Sequence, residues 1–224
     1  MLLHLKNILD TAKQHNIREM LNKAPFIDGK HSAGTAAKQV KNNLEMRQDT
    51  QQAQYLDQLV MGSLAENADF RSAALPFRVA QPVFARYRTG MRYGDHTDDP
   101  VMGNGLEKFR TDVAVTVFLN PPEDYDGGEL VIHSPFGEQQ VKYAAGDAVL
   151  YPANSLHRVK EVTGGERLVA VTWIQSMVRD SAKRELLYEL DQARNALLRQ
   201  NAADLTSQQV NRAYANLLRR WSEI

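Results

Sequence analysis

"DVAVTVFLNPPEDYDGGELVIHSPFGEQQVKYAAGDAVLYP", residues 112–152, is patterned as a β-sheet. The runs DVAVTVFLN and GELVIHS and the closing AVLYP are separated by Pro121-Pro122, Asp126-Gly127-Gly128, Pro135-Phe136-Gly137 and Ala145-Gly146-Asp147. β-Branched and aromatic side chains suit a pleated, half-buried surface, whereas Gly, Pro and Asp supply the backbone angles of tight turns. The same texture continues on both sides. FRVAQPVFARYR (77–88) precedes it, and HRVKEV (157–162) and RLVAVTWI (167–174) follow, with Thr89-Gly90 and Thr163-Gly164-Gly165 as further turns. Short strands at this spacing, without intervening helices, predict a sandwich or double-sheet jelly roll.

The flanks change period. Leu5, Ile8, Leu9 and Ala12 recur at helical spacing, and a second apolar set, Tyr55, Leu59 and Leu64, follows the polar run RQDTQQ. Between them FIDGKHSAGTAAKQVKNN (26–43) is too rich in glycine and polar residues for a long helix and reads as a short strand and a loop. After Val178, Leu186, Leu190, Ala193 and Leu197 form one stripe, and Val210, Tyr214, Leu217 and Trp221 another. Thr206 and Gln209 have capping-box spacing before the second, so two antiparallel helices joined near NAADLT are expected. The reading is an α+β chain: a mixed helical support at 1–75, a β core at 76–177 and a helical tail at 178–224. The tail either covers the β core or forms a homo-oligomer or partner interface.

Lys plus Arg equals Asp plus Glu at 27 each among 224 residues, hydrophobic residues make up 43% and charged residues 24%. This is the composition of a globular chain with no global field to steer it to nucleic acid or an acidic membrane. There is no cysteine, which excludes disulfides, thiolate metal sites and a cysteine nucleophile and fits a reducing compartment. A cytoplasmic location is therefore expected. MLLHLKNILDTAKQHNIREM, broken by His4, Lys6, Asn7 and Asp10, reads as an amphipathic helix rather than a signal peptide. No run approaches the roughly 18 apolar residues of a membrane span.

RYGDHTDDP (92–100) gathers one histidine and three carboxylates. Side chains alternate faces along an extended strand, so His96 and Asp98 share one face while Asp95 and Asp99 point to the other. A lone His-x-Asp also reads as a polar turn, so a third ligand is needed. His4 and His15 belong to the expected N-terminal helix, His31 to a loop, and His133 to a strand end. His157 opens a strand after GDAVLYPANSL, and in a jelly roll that strand and the His-x-Asp strand can be neighbours. Two imidazoles and one carboxylate leave about half an octahedral shell open, which suits non-haem Fe(II) oxygenases. Zinc with the same donors, as in some hydrolases, stays open.

Arg167 lies ten residues after His157, and the intervening glycines are read as a hairpin turn. For the two to share a face, His157 would lie opposite an odd-numbered residue such as Val171 or Trp173. A planar, permanently charged guanidinium suits the far carboxylate of a dicarboxylate such as 2-oxoglutarate. RYRTGMRYGDHTD, VFLNPPEDYDGGELVI and GDAVLYPANSLHRVKEVTGGERLVAVTW together resemble the Fe(II)/2-oxoglutarate dioxygenases of the prolyl 4-hydroxylase type, and more closely the bacterial PKHD-type hydroxylases, over nearly the whole chain. The resemblance implies a double-stranded β-helix (jelly roll), with His96, Asp98 and His157 binding Fe(II) and Arg167 binding the distal carboxylate of 2-oxoglutarate. It also implies that Tyr87 donates a hydrogen bond to that carboxylate. Arg167 departs from the lysine that animal prolyl hydroxylases often use, but keeps the charge. O2 is the implied oxidant and ascorbate an accompanying reductant; the substrate is a small molecule or a peptidyl side chain. Trp173 is read as core near the metal with a wall of the cosubstrate pocket as the alternative, DPVMGNGLEKFRTD (99–112) as a mobile lid, and Arg86, Arg88, Arg92 and Asn104 as solvated residues with substrate contact as the alternative. The rival readings are a metal-dependent hydrolase or isomerase on a β-sandwich, and a non-catalytic binding module.

Overall fold

A computed structural model describes residues 1–224. The chain begins with a strand, β1 (Leu3–Leu5), and its first helix, α1 (Thr11–Lys23), starts only after Asp10, whose carboxylate accepts the Lys13 N–H at 2.8 Å. The expected N-terminal helix is thus corrected. Leu5, Ile8 and Leu9 are buried as their spacing suggests, but β1 pairs with residues 148–150 and the chain turns at Asn7, with φ 53°. Pairing with a distant strand outweighs the local period, and His4, set on β1, bonds Asp147 at 2.7 Å.

β2 (Phe26–Asp28), α2 (Ala37–Val40), β3 (Lys41–Asn42) and β4 (Leu44–Met46) follow. The segment read as a strand and a loop therefore also carries a short helix and a further two-residue strand. Thr50 caps α3 (Gln51–Glu66) by accepting the Ala53 N–H at 3.0 Å, and α4 (Ala68–Ala74) continues from it. The β region comprises β5 (Pro76–Val79), β6 (Val83–Arg88), β7 (Arg92–His96), β8 (Val101–Met102), β9 (Phe109–Arg110), β10 (Val113–Phe118) and β11 (Tyr125–Gly127). It continues with β12 (Leu130–Ser134), β13 (Gly137–Val141), β14 (Ala148–Pro152), β15 (His157–Val159) and β16 (Val162–Ser176). The chain ends in α5 (Ser181–Asn201) and α6 (Leu205–Trp221).

Most of the strands build two facing antiparallel sheets, the jelly roll that the family resemblance implies and one of the two folds the turn spacing left open. The larger runs β1-β14-β10-β16-β6-β4-β2, with β5 and β11 also paired to β16. The smaller runs β13-β12-β15-β7-β3. Period-two alternation divides the core. Val113, Val115, Val117, Leu150, Leu168, Ala170 and Ile174 face helices α1, α3 and α4 in one cluster with Ile17, Leu21, Leu56, Val60 and Phe70. Ala85, Tyr87, Ala114, Phe118, Val149, Tyr151 and Val169 face the smaller sheet in another, together with Leu130, Ile132 and Val159. Burial on both faces explains why the larger sheet's central strand, β10, reads as a continuous apolar run rather than an alternating one.

The expected hairpin between His157 and Arg167 does not form. β16 runs unbroken through Gly164 and Gly165, which pair with Asp126 and Tyr125 of β11. A Cβ on Gly165 (φ 71°) would lie 2.0 Å from the Asp124 carbonyl oxygen, so glycine permits close backbone approach here rather than chain reversal. β15 belongs to the other sheet, and His157 pairs with Ile132 and His96 instead of Val171 or Trp173.

α5 and α6 form the expected antiparallel pair, with two details changed. Asp204, not Thr206, caps α6, accepting N–H groups of Thr206 and Ser207 at 2.9 and 3.3 Å. On α5 the buried positions are Arg184, Leu187 and Asp191, while Leu186 is exposed. Leu75, Val178, Leu187 and Tyr214 make a small core, and Ser72 on α4 donates to Asp191 at 2.6 Å.

Candidate active site

β7 and β15 are neighbours in the smaller sheet, with His96 and His157 as direct Cα partners. Their ring centroids lie 4.2 Å apart. Asp98, two residues past His96, brings Oδ1 to 3.8 Å from His157 Nε2. One potential ligand atom from each of the three residues falls within 4.8 Å of the others. His96 Nδ1 donates to the Gly94 carbonyl at 2.8 Å and His157 Nδ1 to the Ser155 carbonyl at 3.0 Å. Each bond fixes the tautomer, leaving Nε2 as a lone-pair donor directed to the common centre. Tyr93 stacks on His96 at 3.6 Å, and Tyr151 packs edge-on against His157 at 5.3 Å.

Burial and the adjacent His157 push the His96 imidazole down to about 4, so it is neutral near pH 7. Burial pushes the Asp98 carboxyl above its ordinary range, opposed by His157. Asp98 Oδ2 and Trp173 Nε1 are buried without a hydrogen-bond partner. Two imidazoles and a carboxylate short of partners form a donor set that a divalent cation would complete.

The cluster opens into a cavity of about 350 Å³ between the sheets, which Tyr87, Thr116 and Arg167 also line. Arg167 is 1% exposed, yet its Nε and Nη1 have no hydrogen-bond partner. Its guanidinium carbon sits 5.1 Å from the Tyr87 ring centroid and 5.8 Å from that of Phe118. Tyr87 is the direct partner of Arg167 across β6 and β16, and burial raises its hydroxyl to about 12, keeping it a protonated donor. A buried guanidinium without acceptors is costly, and a carboxylate would satisfy it. Gly128 (φ 67°) makes room for this residue, since a Cβ there would lie 3.1 Å from Arg167 Cδ.

Asp95 faces outward, as alternation implies, but Asp99 lines the cavity. Extended alternation ends with β7 at His96, so Asp99 need not follow it. His4, His15, His31 and His133 stand outside the cluster. Arg86 and Arg88 pair with Glu166 at 3.4 and 3.3 Å, and Arg92 with Glu161 at 2.7 Å. Within 99–112, β8 and β9 pair with each other, and Met102, Gly103 and Phe109 lie on the cavity wall. The sequence reading missed a polar stripe on that wall. Lys41, Asn43 and Glu45 all line the cavity, and Lys41 Nζ donates to Glu45 Oε1 at 2.5 Å where the chain crosses from one sheet to the other. Alternate polar residues in KNNLE were the available signal, hidden by the glycine-rich context.

Residues 82–175 match the 2OG-Fe(II) oxygenase superfamily, and the jelly roll with its His-Asp-His cluster is that of an oxygenase of this class. The fold is shared with a prolyl-4-hydroxylase from Pseudomonas putida, with a TM-score of 0.53 at 18% identity over 78% of this chain and 92% of that one. It is also shared with an oxidoreductase of the 2OG-Fe(II) oxygenase family from Burkholderia pseudomallei, with a TM-score of 0.58 at 16% identity over 77% and 84%. Residues 181–223 match the PKHD-type hydroxylase C-terminal domain. A PKHD-type hydroxylase from Thioalkalivibrio sulfidiphilus is 50% identical over the whole of both chains, and one from Gluconobacter oxydans 44%. The chain belongs to the PKHD-type hydroxylases. No helix is long and apolar enough to cross a membrane.

Proposed function

We propose that His96, Asp98 and His157 hold Fe(II), and that Arg167, assisted by Tyr87, binds the distal carboxylate of 2-oxoglutarate in a hydroxylase of a small-molecule or peptidyl substrate. The observation that carries this reading is the buried, unpartnered guanidinium of Arg167 in the same cavity as the His-Asp-His cluster. When bound, iron and 2-oxoglutarate supply oxidative decarboxylation to succinate and CO2 and the transfer of one oxygen atom from O2 to the substrate.

The chain supplies position and exclusion. Both imidazoles present Nε2 because their Nδ1–H groups are engaged by backbone carbonyls. Asp98 offers charge, and the three protein donors together would leave coordination positions on a bound iron open for cosubstrate and O2. Arg167 and Tyr87 lie at the cavity end remote from Trp173 on β16, so they bind the far end of a ligand that reaches the cluster. Leu130, Val159, Val171 and Tyr151 wall the space between and keep water from the reacting groups. Ascorbate is the expected accompanying reductant. Relatives over the full chain carry the name hydroxylase, which lends nothing to a hydrolase, isomerase or binding-module reading.

Anaerobic addition of 2-oxoglutarate to the Fe(II)-loaded protein should produce a metal-to-ligand charge-transfer band. Admission of O2 should then give succinate. Asp98→Ala and His157→Ala should abolish both; full succinate formation by either variant would sink the ligand assignment. A search for cellular metabolites or peptides that gain one oxygen tests the substrate class.

A further inference from the structure

The pairing of β7 with β15 is irregular. Tyr93 lies opposite Val159 and His96 opposite His157, so three residue steps on β7 face two on β15. The extra residue falls at Gly94-Asp95, a β-bulge. In a regular strand Tyr93 and Asp95 would share a face and His96 would point away from it. The bulge turns both Tyr93 and His96 into the cavity, where they stack, and sends Asp95 outward. Bulges re-aim side chains in this way, but they also leave the extra residue outside the ladder.

Behind the bulge, on the outer face of the smaller sheet, lies a network of four polar side chains. Arg158, adjacent to His157 but on the opposite face, donates from Nη2 to both Glu138 oxygens at 2.9 and 2.8 Å. Its Nη1 lies 3.3 Å from Asp95 Oδ1 and 2.9 Å from His133 Nε2. His133 Nε2 is in turn 3.1 Å from Asp95 Oδ1. Asp95 is thereby tied to β15 through Arg158 Nη1 and, through the same guanidinium, to β13, while the single His133 Nε2 on β12 bonds either Asp95 or Arg158. On the other side of the bulge, the Gly94 carbonyl accepts the His96 Nδ1–H, and Val40 fills the space where a Gly94 Cβ would sit, 2.9 Å away.

We infer that the Asp95–Arg158–Glu138–His133 network is a positioning device that pins the β7 bulge and so aims His96 at the centre it shares with His157. None of the four lines the cavity, so each acts through the histidines; the inference rests on the reading of those histidines as metal ligands. A single exposed ion pair contributes little. This network differs because both arms of the Arg158 guanidinium are engaged, Nη2 by Glu138 and Nη1 by Asp95 and His133, which ties β15 to three further strands, and the Arg158 side chain is 26% exposed.

The test is titration of the metal-free protein with Co(II), followed by its visible spectrum, together with hydrogen exchange of the backbone amides at 93–97. Arg158→Ala should weaken Co(II) binding about tenfold, the range for groups that orient metal ligands, and should accelerate exchange at 93–97 while the β10 amides stay protected. Arg158→Lys, which keeps the charge but not the fork, should recover part of the affinity. Lys160→Ala, on the same sheet and bonded to Gln140 at 2.9 Å, should change neither readout. If Arg158→Ala does not fold, Glu138→Gln on β13 carries the test, with a smaller loss in the same direction. Wild-type Co(II) affinity in a folded variant of either residue, or an equal loss in Lys160→Ala, overturns the inference. If the wild type binds no Co(II) that His96→Ala abolishes, the metal reading falls and the inference falls with it.

Discussion

Replacing Arg167 by methionine keeps most of the side-chain volume and removes the guanidinium charge from the cavity. In the wild type that charge is 1% exposed with Nε and Nη1 unpartnered. Truncating one member of a buried hydrogen-bonded charge pair costs about 2–5 kcal/mol of binding, or roughly 30-fold to several thousandfold in affinity. Thermal unfolding of the Mn(II)-loaded protein under argon reads this directly. At about a hundred times its Kd, 2-oxoglutarate should stabilise the wild type by about 2.7 kcal/mol, a Tm rise of roughly 5–10 °C for a chain of this size. At the same concentration Arg167→Met should retain less than about 1 kcal/mol of that stabilisation, a rise of under about 4 °C. Without ligand, the variant should unfold at or above the wild-type Tm, because replacing a buried, incompletely bonded charge with an apolar group is often neutral or favourable. 2-Oxopentanoate, a keto acid without the distal carboxylate, should stabilise both proteins equally. An undiminished 2-oxoglutarate shift in Arg167→Met would refute the assignment of Arg167 as the anchor.

Three further outcomes follow from the same geometry. Gly128→Ala introduces a Cβ 3.1 Å from Arg167 Cδ at φ 67°; it should weaken 2-oxoglutarate binding more than Mn(II) binding, and equal losses by calorimetry would contradict the packing argument. His96 is held at about 4 in the fold and ionises at 6.5 when unfolded. Below pH 6.5 the unfolded chain binds a proton that the folded chain does not, so metal-free stability should fall as pH drops from 6.5 towards 4, by at most about 3 kcal/mol. His96→Gln should flatten that slope in urea unfolding at pH 5 to 7, and an unchanged slope would assign the effect elsewhere. Ser72→Ala leaves the buried Asp191 carboxylate without the 2.6 Å bond; it should destabilise the protein by about 1–3 kcal/mol, and unaltered unfolding would show that α5 is held by its apolar contacts alone.

Strand alternation, turn chemistry and donor type are local properties. They sufficed to predict a sandwich or jelly roll, to favour Asp98 over Asp95 as the companion of His96, and to nominate His157 and Arg167 from 224 residues. The helical tail was equally legible, because α6 repeats Val210, Tyr214, Leu217 and Trp221 on one face. Where the sequence misled, a distant segment had the deciding influence. Leu5, Ile8 and Leu9 have a helical period, but β14 offers β1 a ladder of hydrogen bonds that a short helix cannot match. Gly164 and Gly165 look like a turn, yet they serve close approach by β11.

The distance between the His-Asp-His cluster and the guanidinium was likewise beyond local reading. It depends on which sheet each strand joins, and β15 and β16 join different ones. Nor does any local pattern announce the bulge at Gly94-Asp95, since a bulge exists only in relation to the partner strand. Residue types and their periods thus determined the chemistry available to this chain. Tertiary pairing alone decided where that chemistry converges, because burial, register and the fate of each unpartnered polar atom are set by groups far away in the sequence.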